Sequence, residues 1–372
     1  MVDDERRNEV EDELRRQAKK SFDTGMTAFR RGDYSEALSA LDDALELCQD
    51  ISGSECGQAD CLHSSGIVLG EMGDLREALG CYEQALVLYR EVPGNECGQA
   101  NCLYNSGVAL GGLGDSRGAS ECYERALILF QGVPDSECVQ AECLFNRGAM
   151  LNELGDWWGA LGCFERSLTL FQGVPGSERE QADCLYGSGV SLSELGDCWG
   201  ALGYFDRALV LLDKGIVEVD WAEAERTGAR CLQGIGDCLV ELNEAVFPDH
   251  FARALEVFQR PEHVDHTKAD QASCLRSIGN GRSATGDLNG AVEAYQQAQD
   301  LYRQVGQPER ATEINVPLAR VLKRKAAAID SVFERLALLE ESLNLTVEAA
   351  LSLDRARFRL DRLDDRQRWF QA

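Results

Sequence analysis

Residues 55–94 read ECGQADCLHSSGIVLGEMGDLREALGCYEQALVLYREVPG, and this stretch decides the fold. Its first half sets Ala59, Leu62, Gly66 and Leu69 at helical spacing, one apolar stripe along a helix. Gly73-Asp74 ends that helix: glycine supplies a left-handed C-cap, and aspartate can cap the helix that follows. A second stripe runs through Ala78, Tyr82, Ala85, Leu86 and Leu88. Pro93-Gly94 closes the segment as a turn. The stretch therefore predicts a helical hairpin, with small Gly66, Ala78 and Ala85 where the two helices approach closely.

The same line recurs outward in both directions. Cys-Leu, three residues, then Gly appears at Cys61-Leu62…Gly66, Cys102-Leu103…Gly107, Cys143-Leu144…Gly148, Cys184-Leu185…Gly189, Cys231-Leu232…Gly236 and Cys274-Leu275…Gly279. Gly25 is the same glycine one period earlier. The glycine spacings of 41, 41, 41, 41, 47 and 43 lie in the range of stacked repeat architectures. Gly-Asp returns at Gly32-Asp33, Gly114-Asp115, Gly155-Asp156, Gly196-Asp197 and Gly286-Asp287. No strand-like alternation competes with the helical period.

This pattern resembles the tetratricopeptide repeat. The residues that carry the resemblance are the Leu62…Gly66 pair, the Gly73 turn, Ala78, Tyr82, Ala85 and their equivalents, over about residues 15–308. The period departs from the usual 34 residues of that repeat. It resembles the longer-helix variety found in spindle-orientation scaffolds, kinesin light chain and bacterial signalling arrays. The resemblance implies an all-α fold: a right-handed superhelical solenoid of antiparallel helix pairs, with the first helix of each pair on the concave side. The expected organisation is a charged capping helix at 1–20 and seven repeats at about 21–54, 55–95, 96–136, 137–177, 178–220, 221–266 and 267–308. Degenerate capping helices at 309–372 follow, with Leu318, Val321 and Leu322, then Val332, Leu336 and Leu339, on stripes. The sixth repeat lacks Gly-Asp and carries Asn243-Glu244-Ala245-Val246-Phe247-Pro248 instead, which predicts a reshaped turn.

Composition bounds the function. The chain has 372 residues, 37 Lys+Arg and 64 Asp+Glu, a formal charge of −27. Hydrophobic residues make up 44%, enough for a continuous core, so wholesale disorder is excluded. The charge argues against phosphate-backbone binding. The apolar runs are too short for a membrane span. The charged start, Met1 to Arg7, lacks the apolar region of a secretory signal, so a cytoplasmic protein is expected. The 15 cysteines then read as thiols. Cys56 and Cys61 recur as a pair five apart, about 500° around a helix, so the two do not share a face, and small buried hydrophobe is the expected role. His263-x-x-His266 has a spacing seen in metal sites, but no closed ligand set accompanies it, so no metal and no cofactor are expected.

The candidate site lies on the first helices, around each signature glycine. Three residues before it stand His63, Tyr104, Phe145 and Tyr186, an aromatic row with Asn105 and Asn146 beside it. Aromatic rings offer large contact at small entropy cost, and Asn can pair with a peptide backbone. The same rings could instead be core, packed between successive units. Glu153 and Glu194 would select basic residues in a partner. Gln233, Asp237, Arg276 and Asn280 make the last two units polar, so a ligand that reads both halves is apolar at one end and polar at the other. Residues 55–218 hold 25 acids and 9 bases, either a solvated surface or a steering field for a basic partner. Trp158 and Trp199, just after Gly-Asp turns, are candidates for an exposed ridge. Arg355, Arg357, Arg359, Arg362, Arg366 and Arg368 are interleaved with aspartates at spacings that suit internal ion pairs.

No catalytic constellation is present: each carboxylate has counterparts at the same place in other units, and no phosphate loop follows a strand. The expectation is a non-enzymatic scaffold or adaptor that binds a peptide segment of another protein, with no nucleic-acid or membrane partner. The alternative is a regulatory subunit controlling an enzyme such as a protease or a nucleotide-dependent switch. The fold does not choose between them.

Overall fold

A computed structural model describes residues 2–215, 221–244, 247–260 and 264–370, with side chains for 10–213, 223–244, 247–260 and 267–352. Among the described residues the secondary structure is helical throughout, seventeen α-helices with no strand. The chain divides into two compact units, residues 1–191 and 192–372. No described helix is long and apolar enough to cross a membrane.

The first unit stacks hairpins. They are α1 (Val2–Arg30) with α2 (Tyr34–Gln49), α3 (Glu55–Met72) with α4 (Leu75–Glu91), α5 (Glu96–Gly112) with α6 (Ser116–Phe130), and α7 (Glu137–Glu153) with α8 (Trp157–Phe171). The next first helix, α9, spans Glu178–Glu194. In the second, third and fourth hairpins a ring of the second helix packs against the signature glycine of the first; in the first hairpin Leu41 takes that place on Gly25. A Cβ added to Gly66 would come within 2.5 Å of Tyr82, one on Gly107 within 2.7 Å of Tyr123, and one on Gly148 within 2.9 Å of Phe164. Only glycine leaves room for the ring, and burying each ring contributes about 1.5–3 kcal/mol. Ala59, Ala78, Ala85, Ala100, Ala119 and Ala126, fully buried, let the remaining turns of the helices close up.

The turns behave as their residues dictate. Gly73 sits at φ 86°, and its amide donates to Gly70 O while that of Asp74 donates to Leu69 O, a Schellman closure. The carboxylates of Asp33, Asp115, Asp156, Asp197 and Asp287 each accept a backbone amide three residues on. At the hairpin junctions a Ser-Gln clamp takes up carbonyls left open at the end of a second helix. Ser136 Oγ donates to Phe130 O (2.7 Å) and Val133 O (2.6 Å), and Gln140 Nε2 reaches Phe130 O at 3.3 Å. Ser177 with Gln181 repeats this on Phe171 O.

The second unit contains α10 (Cys198–Gly215), α11 (Trp221–Glu241), α12 (Phe247–Phe258), α13 (Val264–Thr285) and α14 (Leu288–Gln304). The glycine-on-ring contact persists, with Gly236 under Phe251 and Gly279 under Tyr295. The reshaped turn after α11 keeps the Schellman closure with a different residue. Asn243 stands at φ 57°, its amide donates to Val240 O, and that of Glu244 donates to Leu239 O. Asparagine tolerates the left-handed region, so it replaces the missing glycine.

The chain ends in α15 (Pro308–Glu313), α16 (Asn315–Ala327) and α17 (Val332–Phe370). Leu318, Val321 and Leu322 are buried with Tyr295, Tyr302 and Ile314, covering the last hairpin. The stripe expected on α17 is the wrong face. Val332, Leu336 and Leu339 are exposed, while Leu338, Leu345 and Ala349 turn inward. α17 carries apolar residues on both sides, and contact with α16 selects the other one. The arginine run from Arg355 lies outside the described side chains.

Candidate functional site

In the first unit the first-helix row is neither core nor free surface. His63, Tyr104, Phe145 and Tyr186 are all half-buried. Three of the rings meet the buried ring of their own hairpin edge-on or tilted: His63 with Tyr82 (5.8 Å between centroids), Tyr104 with Tyr123 (5.8 Å) and Phe145 with Phe164 (5.6 Å). Such pairs prefer this geometry and add about 0.5–1.5 kcal/mol beyond burial. One side of each ring is thus held by its hairpin, and the remainder is accessible.

The asparagines tie one first helix to the next. Asn105 Nδ2 lies 2.9 Å from His63 Nε2, and Asn146 Nδ2 donates to Tyr104 Oη at 3.1 Å. An amide nitrogen only donates, so the His63 ring nitrogen is the acceptor of this pair. Burial pushes the His63 pKa down, against the opposing charge of Asp60. Burial likewise pushes the Tyr104 phenol up to about 12. Ser191 Oγ donates to Asn152 Oδ1 at 2.9 Å, a further rung of the same kind. These rungs use an amide that the sequence reading assigned to a ligand. The signal was available: each asparagine stands 42 residues after the ring it reaches. Glu153 is exposed and accepts from Ser116 Oγ at 2.5 Å.

The second unit replaces rings with polar side chains. Arg230 forms a bidentate pair with Asp270, at 2.9 and 3.2 Å from its Nη2. Gln233 Nε2 donates to Ser273 Oγ (3.0 Å) and Ser277 Oγ (3.2 Å), and Ser277 Oγ donates to Asp237 Oδ2 (3.1 Å). Burial pushes the Asp237 carboxyl up to about 6, with Ser277 and Arg276 pulling down and Glu241 and Glu194 adding to the rise. Asn280 is exposed and accepts from Tyr295 Oη at 2.7 Å. Glu194 is exposed and Arg276 half-buried. Ser273 and Asp270, which carry no signal of their own in the sequence, complete the polar contacts around Gln233, Asp237 and Arg276.

Trp158 and Trp199 each stand exposed, at 70% and 68%, in the first turn of α8 and α10. All fifteen cysteines are thiols; ten are buried, and Cys97 and Cys138 are exposed. Among the described residues no His, Cys, Asp and Glu side chains cluster as a metal would need, and His263 and His266 lie outside the described side chains.

Comparison with known proteins gives the same architecture. The tetratricopeptide repeat profile matches residues 24–91, 62–131 and 140–214. No curated protein sequence matches the chain. The apo form of the quorum sensor NprR from B. thuringiensis superposes with a TM-score of 0.66 at 15% identity, over 95% of this chain and 94% of that one. The apo form of RapI superposes with a TM-score of 0.61 at 17% identity, over 78% of this chain and 99% of that one. At these identities the likeness is one of fold. With its glycine-on-ring hairpins, its left-handed turns and a profile matched over residues 24–131 and 140–214, the chain carries tetratricopeptide repeats.

Proposed function

We propose that the chain is a non-enzymatic protein-binding scaffold, whose first-helix row in the first unit receives a peptide segment of a partner protein. The observation that supports this reading is the half-exposure of His63, Tyr104, Phe145 and Tyr186. A ring packed on one side by its own hairpin is already ordered, so a ligand that covers the other side gains contact area at little entropy cost. Asn105 and Asn146 hold the row in register and keep their side-chain carbonyls for backbone amides of the peptide. Glu153 favours a basic residue near one end of the segment. In the second unit Asp237, Arg276 and Asn280 offer a separate polar set, suited to hydrogen-bonding side chains.

Oxidative footprinting of the chain with and without the partner that co-purifies from its native cell tests this reading. Tyr104, Phe145 and Tyr186 should lose reactivity when the partner is bound. Protection confined to the second helices, at Trp158 for example, would place the contact elsewhere.

A further inference from the structure

The first hairpin junction lacks a side chain that the next three possess. Cys48 stands in the last turn of α2, and at the same register one, two and three periods on stand Tyr89, Phe130 and Phe171, all buried rings. Tyr89 lies over Gly98, where an added Cβ would come within 2.8 Å of the ring, and its hydroxyl donates to Asp60 Oδ1 at 2.5 Å. One period earlier Cys48 takes the place of Tyr89, Gly57 that of Gly98, and Lys19 that of Asp60. The ring is gone, the glycine floor is kept, and a cation replaces the acid that the ring's hydroxyl had bonded.

What remains is a cleft of about 380 Å³ between α1 and the start of α3, walled by Phe22, Ile51, Cys48 and Cys61. Arg15 and Lys19 line it too, one turn apart on α1 and so on one face. Asp60 is also on its margin, with its carboxylate engaged by the Tyr89 hydroxyl. The volume is that of a small-molecule pocket, and apolar walls with a few convergent charges are the usual composition of one. The thiols are inert partners here: burial raises the pKa of both, that of Cys61 to about 12.

We propose that this cleft binds a small organic anion with an aryl or branched alkyl body. The body fills the space that Tyr89 occupies one period on, and the carboxylate lies beside Lys19 and Arg15. The site is separate from the aromatic row and does not depend on the peptide reading.

Calorimetric titration of the full chain tests it with 3-phenylpropionate, 4-methylpentanoate, their neutral amides, and an N-acetylated glycyl-phenylalanine with a free carboxylate. At least one small acid should bind, and its amide roughly tenfold more weakly. Binding of the dipeptide as well would extend the ligand class to a chain terminus; its failure beside a bound small acid would restrict the class to free acids. Cys48→Phe puts back the ring that Phe130 supplies two periods on, and should abolish binding while keeping or raising the melting temperature. Lys19→Glu, at an exposed position, should weaken binding roughly tenfold with no change in melting temperature, and it decides the matter if Cys48→Phe fails to fold. Three results would each overturn the proposal: no acid binds, the amides match the acids, or Lys19→Glu binds like the parent.

Discussion

Three residues before the signature glycine, the first unit holds His63, Tyr104, Phe145 and Tyr186, whereas the second holds Gln233 and Arg276. In the first unit His63, Tyr104 and Phe145 lean on a second-helix ring, and His63 and Tyr104 also meet an asparagine from the next hairpin. In the second, hydrogen bonds through Ser273 and Ser277 and the Arg230–Asp270 pair make the link between first helices. The hairpin itself does not change: Phe164 on Gly148 and Tyr295 on Gly279 are the same contact. The core of a repeat and the chemistry of its exposed column are therefore separable. The column can be rewritten for a ligand while glycine and ring keep the fold.

The largest expected effects test the shared half of that comparison. Phe164→Ala and Tyr295→Ala each remove a buried ring, and each should cost about 3–5 kcal/mol in urea unfolding. A cost in one unit only would break the equivalence. Adding a methyl group at the other partner is the converse test: Gly107→Ala brings a Cβ within 2.7 Å of Tyr123 and should cost about 1–3 kcal/mol.

Truncating the column should cost less. Phe145→Ala loses an edge-on contact and part of its burial, and should cost roughly 1–2 kcal/mol, below the value for a core ring. A loss as large as that of Phe164→Ala would return Phe145 to the core.

The two columns should also respond to pH with opposite sign. His63 has a lowered pKa in the fold, so the unfolded chain takes up its proton more readily. Its contribution is present above the ordinary histidine value of about 6.5 and is lost as pH falls below it. Asp237 is raised from 3.8 to about 6, so the folded chain holds the proton more tightly between those values, and stability falls as pH rises through that window. Melting curves across this range should show His63→Gln flattening the acid-side loss and Asp237→Asn removing the decline toward pH 6. Identical profiles for parent and Asp237→Asn would mean that the carboxyl is not held protonated. The smallest effect is expected at Trp158, where truncation to Ala should stay within about 0.5 kcal/mol because the ring is exposed.

Much of this was legible in the sequence, for identifiable reasons. Gly-Asp pairs and a glycine sixteen residues before an aromatic report local geometry, so the hairpins could be read directly. Periodicity gives a helix's faces but not which neighbour claims them, and so the exposed stripe of α17 was mistaken for the buried one. The same limit hid the link that Asn105 and Asn146 make between units, since a side chain that joins two units looks like one that awaits a ligand. The Asn243 turn was expected to be reshaped, yet the residue only replaces glycine at the same closure. The cleft at Cys48 is an absence, visible only when position 48 is set beside Tyr89, Phe130 and Phe171.

The central claim is that the half-exposed rings bind a partner while the hairpins beneath them stay intact. Its most direct test is the affinity of the co-purified partner for the triple variant Tyr104→Ala, Phe145→Ala, Tyr186→Ala, measured at a temperature where circular dichroism shows the variant fully folded. The account predicts a loss of roughly a hundredfold or more, as for aromatic anchors at an interface centre. An affinity equal to the parent's, with the variant folded, would contradict it.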